Sequence, residues 1–178
     1  MAMNMVGRCY EYGLGTPLHY ARAAHWYHRA ATFDCDWAIY NYAHLLASGR
    51  GVKQDRAAAF VWFKLAASRG HARAMAFLGQ YYENGWETPA DRAAAVRWYQ
   101  RSAEAGDYRG RCNYAFALAR DGRTDEALAW LRLTATTAPP HSLQQLAEAL
   151  RRSPHEALRA FADTLPVSAA PPPTPEVP

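Results

Sequence analysis

Residues 38 to 73 read AIYNYAHLLASGRGVKQDRAAAFVWFKLAASRGHAR, and this stretch decides the fold. Ala38, Tyr42, Ala43, Leu46 and Gly49 are spaced 4, 1, 3 and 3 apart, which paints one stripe on a helix from about Trp37 to Ser48. Gly49, Arg50 and Gly51 break that helix. A second helix, from about Gln54 to Arg69, carries Ala59, Trp62, Phe63, Ala66 and Ala67 inward. Gly70 then stands where a left-handed residue ends it. The segment is one helix hairpin.

The hairpin recurs on both sides of this stretch. Gly13, Gly49 and Gly85 fall 36 residues apart, as do Trp26, Trp62 and Trp98. The small residues Gly7, Ala43 and Gly79, and the alanines Ala2, Ala38 and Ala74, keep the same beat. A fixed period in the range of roughly 20–50 residues marks a solenoid, in which each unit buries its apolar face against its neighbours. The small positions predict close helix approach, with Trp62 or Trp98 filling the space beside Ala43 or Gly79. The predicted fold class is all-α: a right-handed α/α superhelical solenoid of helix hairpins with a C-terminal capping helix pair.

Start signals are read at Thr16 before Pro17 and at Thr88 before Pro89, with Asp91 three residues beyond Thr88. These predict that the second helices of repeats one and three begin there. Repeat one differs at its end, where Asp34, Cys35 and Asp36 replace Gly70, His71 and Ala72, so a strained or differently wound joint is expected. In repeat three, Trp86 and Glu87 replace the second glycine region.

A fourth unit keeps Tyr114, Ala115 and Leu118 in phase, but Trp130 follows Trp98 by 32 residues, so its loop is four residues shorter. Ala127, Trp130 and Leu131 are expected to face inward. Pro139 and Pro140 close the array. Beyond them Ser142 to Arg152 reads as an amphipathic helix through Leu143, Leu146 and Leu150. Ser153, Pro154 and Glu156 read as a capping box for a last helix through Leu158, Phe161 and Leu165. The predicted organisation is an array over 2–137 (about 2–37, 38–73, 74–109 and 110–137) and capping helices over 138–165. A disordered tail follows over 166–178, with six prolines in 13 residues.

Composition excludes several classes. The 20 Lys and Arg residues, among which Lys53 and Lys64 are the only lysines, are interleaved with 16 acids for a formal charge of +4. That mixture lacks the clustered footprint of a nucleic-acid binder. Cys9, Cys35 and Cys112 share no repeat position and form no close pair, which argues against a disulfide framework or a zinc site. No apolar run approaches the roughly 18 residues of a membrane span, and the first residues lack the apolar core of a signal peptide. A cytoplasmic protein without cofactor or metal is expected.

The pattern of Ala74, Leu78, Gly79, Tyr82 and Gly85 resembles the Sel-one-like repeat, a relative of the tetratricopeptide repeat. So does that of Gly49, Gly51, Val52, Asp55, Ala59, Trp62, Ala66, Ala67 and Gly70. The resemblance is strong from residue 2 to about 110 and weaker to about 137. It implies an adaptor or scaffold that binds a peptide or helix of another protein, in bacteria often while assembling envelope, secretion or signalling complexes. Some relatives carry paired cysteines in each repeat and resemble disulfide-stapled hydrolases; this chain has no such pairs, and no enzyme activity is carried over.

By analogy with related repeats, the first helix of each hairpin lines a binding groove. Positions off the packed stripe are then candidates for partner contact: Asn4, Arg8, Glu11 and Tyr12, then Tyr40, His44 and Ser48, then Gln80, Glu83 and Asn84, then Cys112, Phe116 and Arg120. The partner-binding set is drawn from these as Asn4, Arg8, Tyr12, Tyr40, His44, Gln80, Glu83, Asn84, Phe116 and Arg120. Tyrosine and arginine suit such a role because they anchor interfaces. Two alternatives carry less sequence support. A hydrolase-like or metal-binding reading rests on His25 and His28, three apart on a helix, near Asp34 and Asp36. An RNA-binding repeat would need a more basic inner helix. Finally, Ala2 already occupies the first repeat position, so Val6, Tyr10 and Trp26 are expected to be partly exposed. That predicts either an upstream segment or self-association through repeat one.

Overall fold

The computed structural model describes residues 1–166, and all regular structure among them is helical. The helices are α1 (Ala2–Tyr12), α2 (Tyr20–Thr32), α3 (Asp36–Ser48), α4 (Arg56–Ser68), α5 (Ala72–Asn84), α6 (Arg92–Glu104), α7 (Tyr108–Arg120), α8 (Thr124–Thr137), α9 (Pro140–Arg151) and α10 (Glu156–Ala162). The starts of α2, α4 and α6, and of α3, α5 and α7, are separated by 36 residues, so the sequence period is also the structural one. The proline-rich stretch from residue 167 onward lies outside the described residues. By contact the chain forms two compact units, Met1–Tyr114 and the remainder from Ala115.

In the first unit each helix from α1 to α6 packs against the next, giving three antiparallel hairpins in a row. The first helix of each hairpin ends at Gly13, Gly49 or Gly85, with φ of 67°, 71° and 67°. A residue without Cβ adopts that left-handed turn freely, and its N–H returns to a carbonyl of the last helical turn. The second helices start later than the Thr-Pro signals predict. The N-cap residues are His19, Asp55 and Asp91, themselves 36 apart, and their side chains accept the backbone N–H groups of Arg22, Ala58 and Ala94. Thr16 and Thr88 stand in the loops instead. After Thr88 the Asp91 carboxylate displaces the Thr-Pro signal because it satisfies an orphan N–H and also meets the positive end of the helix dipole, while after Thr16 the His19 imidazole supplies the accepting nitrogen.

The joint between hairpins decides between two expectations: its winding is shared, while Asp34 takes a left-handed turn that is strained for a residue with a Cβ. Asp34 adopts φ 59°, where Gly70 and Gly106 adopt 89° and 91°. The same pair of turn bonds closes all three joints: Asp34 N–H to Ala31 O and Cys35 N–H to Ala30 O, matched by Gly70 to Ala67, His71 to Ala66, Gly106 to Ala103 and Asp107 to Ser102. Repeat one is therefore wound like the others. Arg69 reaches across to hold Asp34 at 2.7 Å and Asp36 at 3.3 Å, which anchors the one joint that lacks glycine. Glu87 likewise takes a left-handed φ of 55° at the register where Gly15 and Gly51 have 71° and 73°.

The core differs from the sequence reading by one residue. The rings facing the small positions are Tyr27, Phe63 and Tyr99, each at most 1% exposed, and not Trp26, Trp62 and Trp98, which are half-buried. A Cβ added to Gly7 would stand 2.6 Å from the Tyr27 ring, and one on Gly79 would overlap the Tyr99 ring. The tryptophans flank this row. Trp62 meets Tyr42 edge-on at 5.4 Å, while Arg29 lies 5.3 Å over Trp26 and Arg101 lies 4.6 Å over Trp98. The crossing of the paired helices turns the residue after each tryptophan toward the small position, where a flat six-membered ring packs closely against glycine or alanine.

In the second unit α8 buries Ala127 and Leu131 completely while Trp130 stays half-exposed, the same one-residue shift. The helix α9 buries Leu143, Leu146 and Leu150 and packs on α10, which buries Leu158. The capping box at Ser153 does not form: α10 begins after His155, and the Ser153 hydroxyl accepts the His155 N–H at 3.2 Å, one residue short of the spacing a box requires.

Candidate functional site

Three first helices in the first unit set the candidate residues in rows. Arg8, His44 and Gln80 share one register position, and Tyr12, Ser48 and Asn84 share the next turn. Arg8 and Tyr12 are exposed, Asn84 is exposed, and His44 and Gln80 are half-buried. Asn4 and Tyr40 are buried, which removes them from any contact surface. The Asn4 side chain accepts a hydrogen bond from Asn41 at 3.1 Å, joining α1 to α3. Tyr40 stacks on His71 at 4.5 Å and lies 6.0 Å from Phe77, so it belongs to the joint between hairpins. Glu83 is committed as well, accepting the Tyr99 hydroxyl at 2.7 Å, just as buried Glu11 accepts that of Tyr27 at 2.6 Å. Phe116 and Arg120 lie in the second unit, half-buried and exposed respectively.

Sequence reasoning missed the feature that the first-helix face surrounds. Between α3 and α5 lies a hollow of about 250 Å³. Its lining is His44, Ala47 and Ser48 from α3, Phe77 and Tyr81 from α5, Arg56 from α4, and Trp86 from the following loop. Trp86 is 41% exposed and meets Tyr81 edge-on at 5.6 Å, with the Arg56 guanidinium 5.7 Å over its indole. His44 meets Phe77 edge-on at 5.8 Å. Trp86 carries no repeat signal, because its register equivalents are Leu14 and Arg50; that irregularity was the available clue.

Electrostatics fix the state of the rim. Burial lowers the His44 pKa and the Arg50 guanidinium lowers it further, against the opposing pull of Glu11, and the balance favours the neutral imidazole. In that state Arg50 Nη2 donates to His44 Nδ1 at 3.1 Å. Arg50 also lies 3.8 Å from Glu11 and 5.2 Å over the Tyr20 ring, which ties the loop of repeat two to repeat one. A second, more polar cavity of about 500 Å³, lined by Leu46, Lys53, Gln54, Asp55, Arg56, Ala57 and Glu87, adjoins Arg56.

His25 and His28, read as possible metal ligands, turn to different neighbours. His25 meets Trp26 at 5.9 Å, and His28 packs on Tyr42 at 4.9 Å and Trp62 at 6.1 Å. Among the described residues no group of three or more His, Cys, Asp or Glu is placed to hold a metal ion. No helix among them is long and apolar enough to cross a membrane. Val6, Tyr10 and Trp26 of repeat one are half-buried, with Arg22 lying 5.5 Å over the Tyr10 ring.

Comparison with known proteins agrees with this architecture. The structure is similar to that of a Sel1 repeat protein from Oxalobacter formigenes, with 25% identity, 92% of this chain and 71% of that chain covered, and a TM-score of 0.74. It is also similar to a protective antigen of uropathogenic Escherichia coli strains that displays an SLR fold, at 30% identity and a TM-score of 0.70. That match covers 84% of this chain but 33% of the antigen. No curated protein matches the sequence. The family model of the Sel1 repeat matches residues 1–32, 38–71 and 72–107, the three hairpins built on Tyr27, Phe63 and Tyr99. With these copies spanning more than half of its length, the chain belongs to the Sel1 repeat family, whose repeats serve in general as protein–protein interaction modules.

Proposed function

We propose that the first unit is a scaffold that binds a segment of another protein, extended or helical, along the exposed sides of α1, α3 and α5. The observation that carries this reading is the row of Arg8, His44 and Gln80 beside Tyr12, Ser48 and Asn84. These are polar and aromatic side chains at one repeated register, left outside a core that the neighbouring positions fill. Repeated helices hold such a row at fixed spacing, so a partner segment meets a rigid, preorganised surface and the entropy lost on binding is small. The mixture of Arg, Tyr and amides matches the composition of interface anchors.

Site-specific photocrosslinking tests the reading. A photoreactive phenylalanine at Gln80 or Asn84 is expected to capture a recurring protein, and the same group at exposed Arg97 on α6 is not. Capture at Arg97 alone would move the interface to the second-helix face and reject the assignment.

A further inference from the structure

The first-helix side of this unit exposes cations whose natural counter-charges are already used. Among the described residues the Arg8 guanidinium has one hydrogen-bond partner, the Met5 sulfur at 3.9 Å, and neither Arg8 nor Arg56 forms an ion pair. The nearby carboxylates are occupied from within: Glu11 accepts from Tyr27, Glu83 accepts from Tyr99, and Asp107 is buried and accepts the Gly110 N–H at 2.9 Å while lying 3.7 Å from Arg73. Two exposed carboxylates, Glu87 and Asp55, line the adjoining polar cavity together with Arg56, and Asp55 is engaged in capping α4 by accepting the Ala58 N–H at 2.8 Å. The fields of Arg8, Arg50 and Arg73 reach Tyr12 and those of Arg50 and Arg109 reach His44, with Glu11 opposing them at both groups.

Arg56 lines the aromatic hollow. At about 250 Å³ it falls below the roughly 300–1,000 Å³ typical of small-molecule and cofactor sites. One large side chain fits it. A half-exposed tryptophan backed by a second ring and a guanidinium is the kind of group that dominates binding energy at interfaces.

Building on the scaffold reading above, we propose that the hollow takes one aromatic or large aliphatic side chain of an acidic segment from another protein, whose flanking carboxylates pair with Arg56 and, further along, with Arg8. Charge complementarity selects the occupant: a basic or neutral segment would leave the Arg56 and Arg8 guanidinium groups without a counter-charge and forgo the steering that opposite charge supplies. Single-stranded RNA would also meet cations and rings, but it requires an aromatic platform repeated along the strand. Here the ring at Trp86 occurs once, with Leu14 and Arg50 at its register in the other repeats.

Selection of displayed random 12-residue peptides on the whole protein tests the inference. The expected winners carry several Asp or Glu residues around one Phe, Trp or Leu. Their synthetic forms should bind at least tenfold more weakly to Trp86→Ala and several-fold more weakly to Arg56→Gln, with affinity falling as salt rises. The second variant Ser48→Trp, at an exposed rim position, fills the hollow from outside and should block binding without removing any native ring. Neutral or basic winners, binding that survives both Trp86→Ala and Ser48→Trp, an empty selection, or a labelled oligouridine that binds more tightly than the acidic peptides would each overturn the proposal. A partner crosslinked at Gln80 that shows no acidic preference would sink this inference and leave the scaffold reading standing.

Discussion

The Tyr27 hydroxyl donates to the buried carboxylate of Glu11 at 2.6 Å, a bond from α2 back to α1 that repeat three duplicates between Tyr99 and Glu83 at 2.7 Å. Repeat two has Phe63 and Ala47 at the same two positions. Donor and acceptor are thus present together or absent together, which follows from the cost of burying either one alone. Tyr27→Phe should therefore destabilise the fold by about 1–3 kcal/mol, since Glu11 loses its donor. Adding Glu11→Ala should recover part of that loss, and a double-mutant cycle in urea should show coupling of about 0.5–3 kcal/mol. Additive losses would show that the bond contributes nothing specific.

Gly7 and Gly79 exist to admit a ring. Gly79→Ala places a methyl group in the Tyr99 ring and should cost about 1–3 kcal/mol through overpacking. Repeat two tolerates Ala43 in the same position, so the penalty is a property of each hairpin's local spacing. Thermal unfolding of the variant should show a lowered midpoint; an unchanged one would mean that α5 and α6 shift apart freely.

The one-residue displacement of the core predicts an unequal pair of truncations. Phe63→Ala, at a fully buried ring, should cost about 3–5 kcal/mol. Trp62→Ala removes a larger side chain and yet should cost less, because the indole is half in solvent. Chemical denaturation of the two variants side by side decides the order.

Helix capping offers a sharper contrast. Asp91 accepts the Ala94 N–H at 2.8 Å, and Asp91→Ala should cost about 0.5–2 kcal/mol. Thr88→Ala should leave stability within about 0.5 kcal/mol of the parent, since Thr88 caps nothing. Equal losses would contradict the observed start of α6.

His71 gives the fold an acid limit. Burial holds its pKa at about 4, below the ordinary 6.5, and Arg73 pushes the same way while Asp36 opposes. Its Nδ1 accepts the Ala74 N–H at 3.3 Å, and its Nε2 is buried without a partner. The unfolded chain therefore binds an extra proton between these two values. This contribution to stability is complete above about pH 6.5 and is lost as pH falls toward 4, where it levels off. His71→Asn, which keeps a capping acceptor, should flatten the decline in urea midpoint between pH 6.5 and 4.5 relative to the parent.

The helices, their order and their phase were legible in the sequence because the repeat is local. Apolar spacing within 13 residues, and a glycine at the end of each first helix, are properties of a segment alone. The register residues Gly7, Ala43 and Gly79 could be seen to be small for a packing reason. Which ring met them could not be seen, because Trp62 and Phe63 are adjacent and lie only about 100° apart around the helix. The crossing of two helices selects between them. Likewise Thr88 and Asp91 are both sound caps in sequence, and the one that caps is set by where the loop from α5 lets α6 begin.

The candidate surface divides in the same way. Arg8, His44 and Gln80 share one register position through the 36-residue period, since a stacked array converts sequence spacing directly into spatial spacing. Asn4, Tyr40 and Glu83 were read as outward because the stripe of one helix was considered without its neighbours; the adjoining hairpin covers the first two, and a tyrosine from the paired helix claims the third. The hollow at Trp86 belongs wholly to the tertiary structure, for it joins residues of α3, α4, α5 and a loop that share no sequence signal. Short-range periodicity determined that helices form and stack; the close contact between them, where a fraction of an ångström decides which side chain fits, was settled only when they packed.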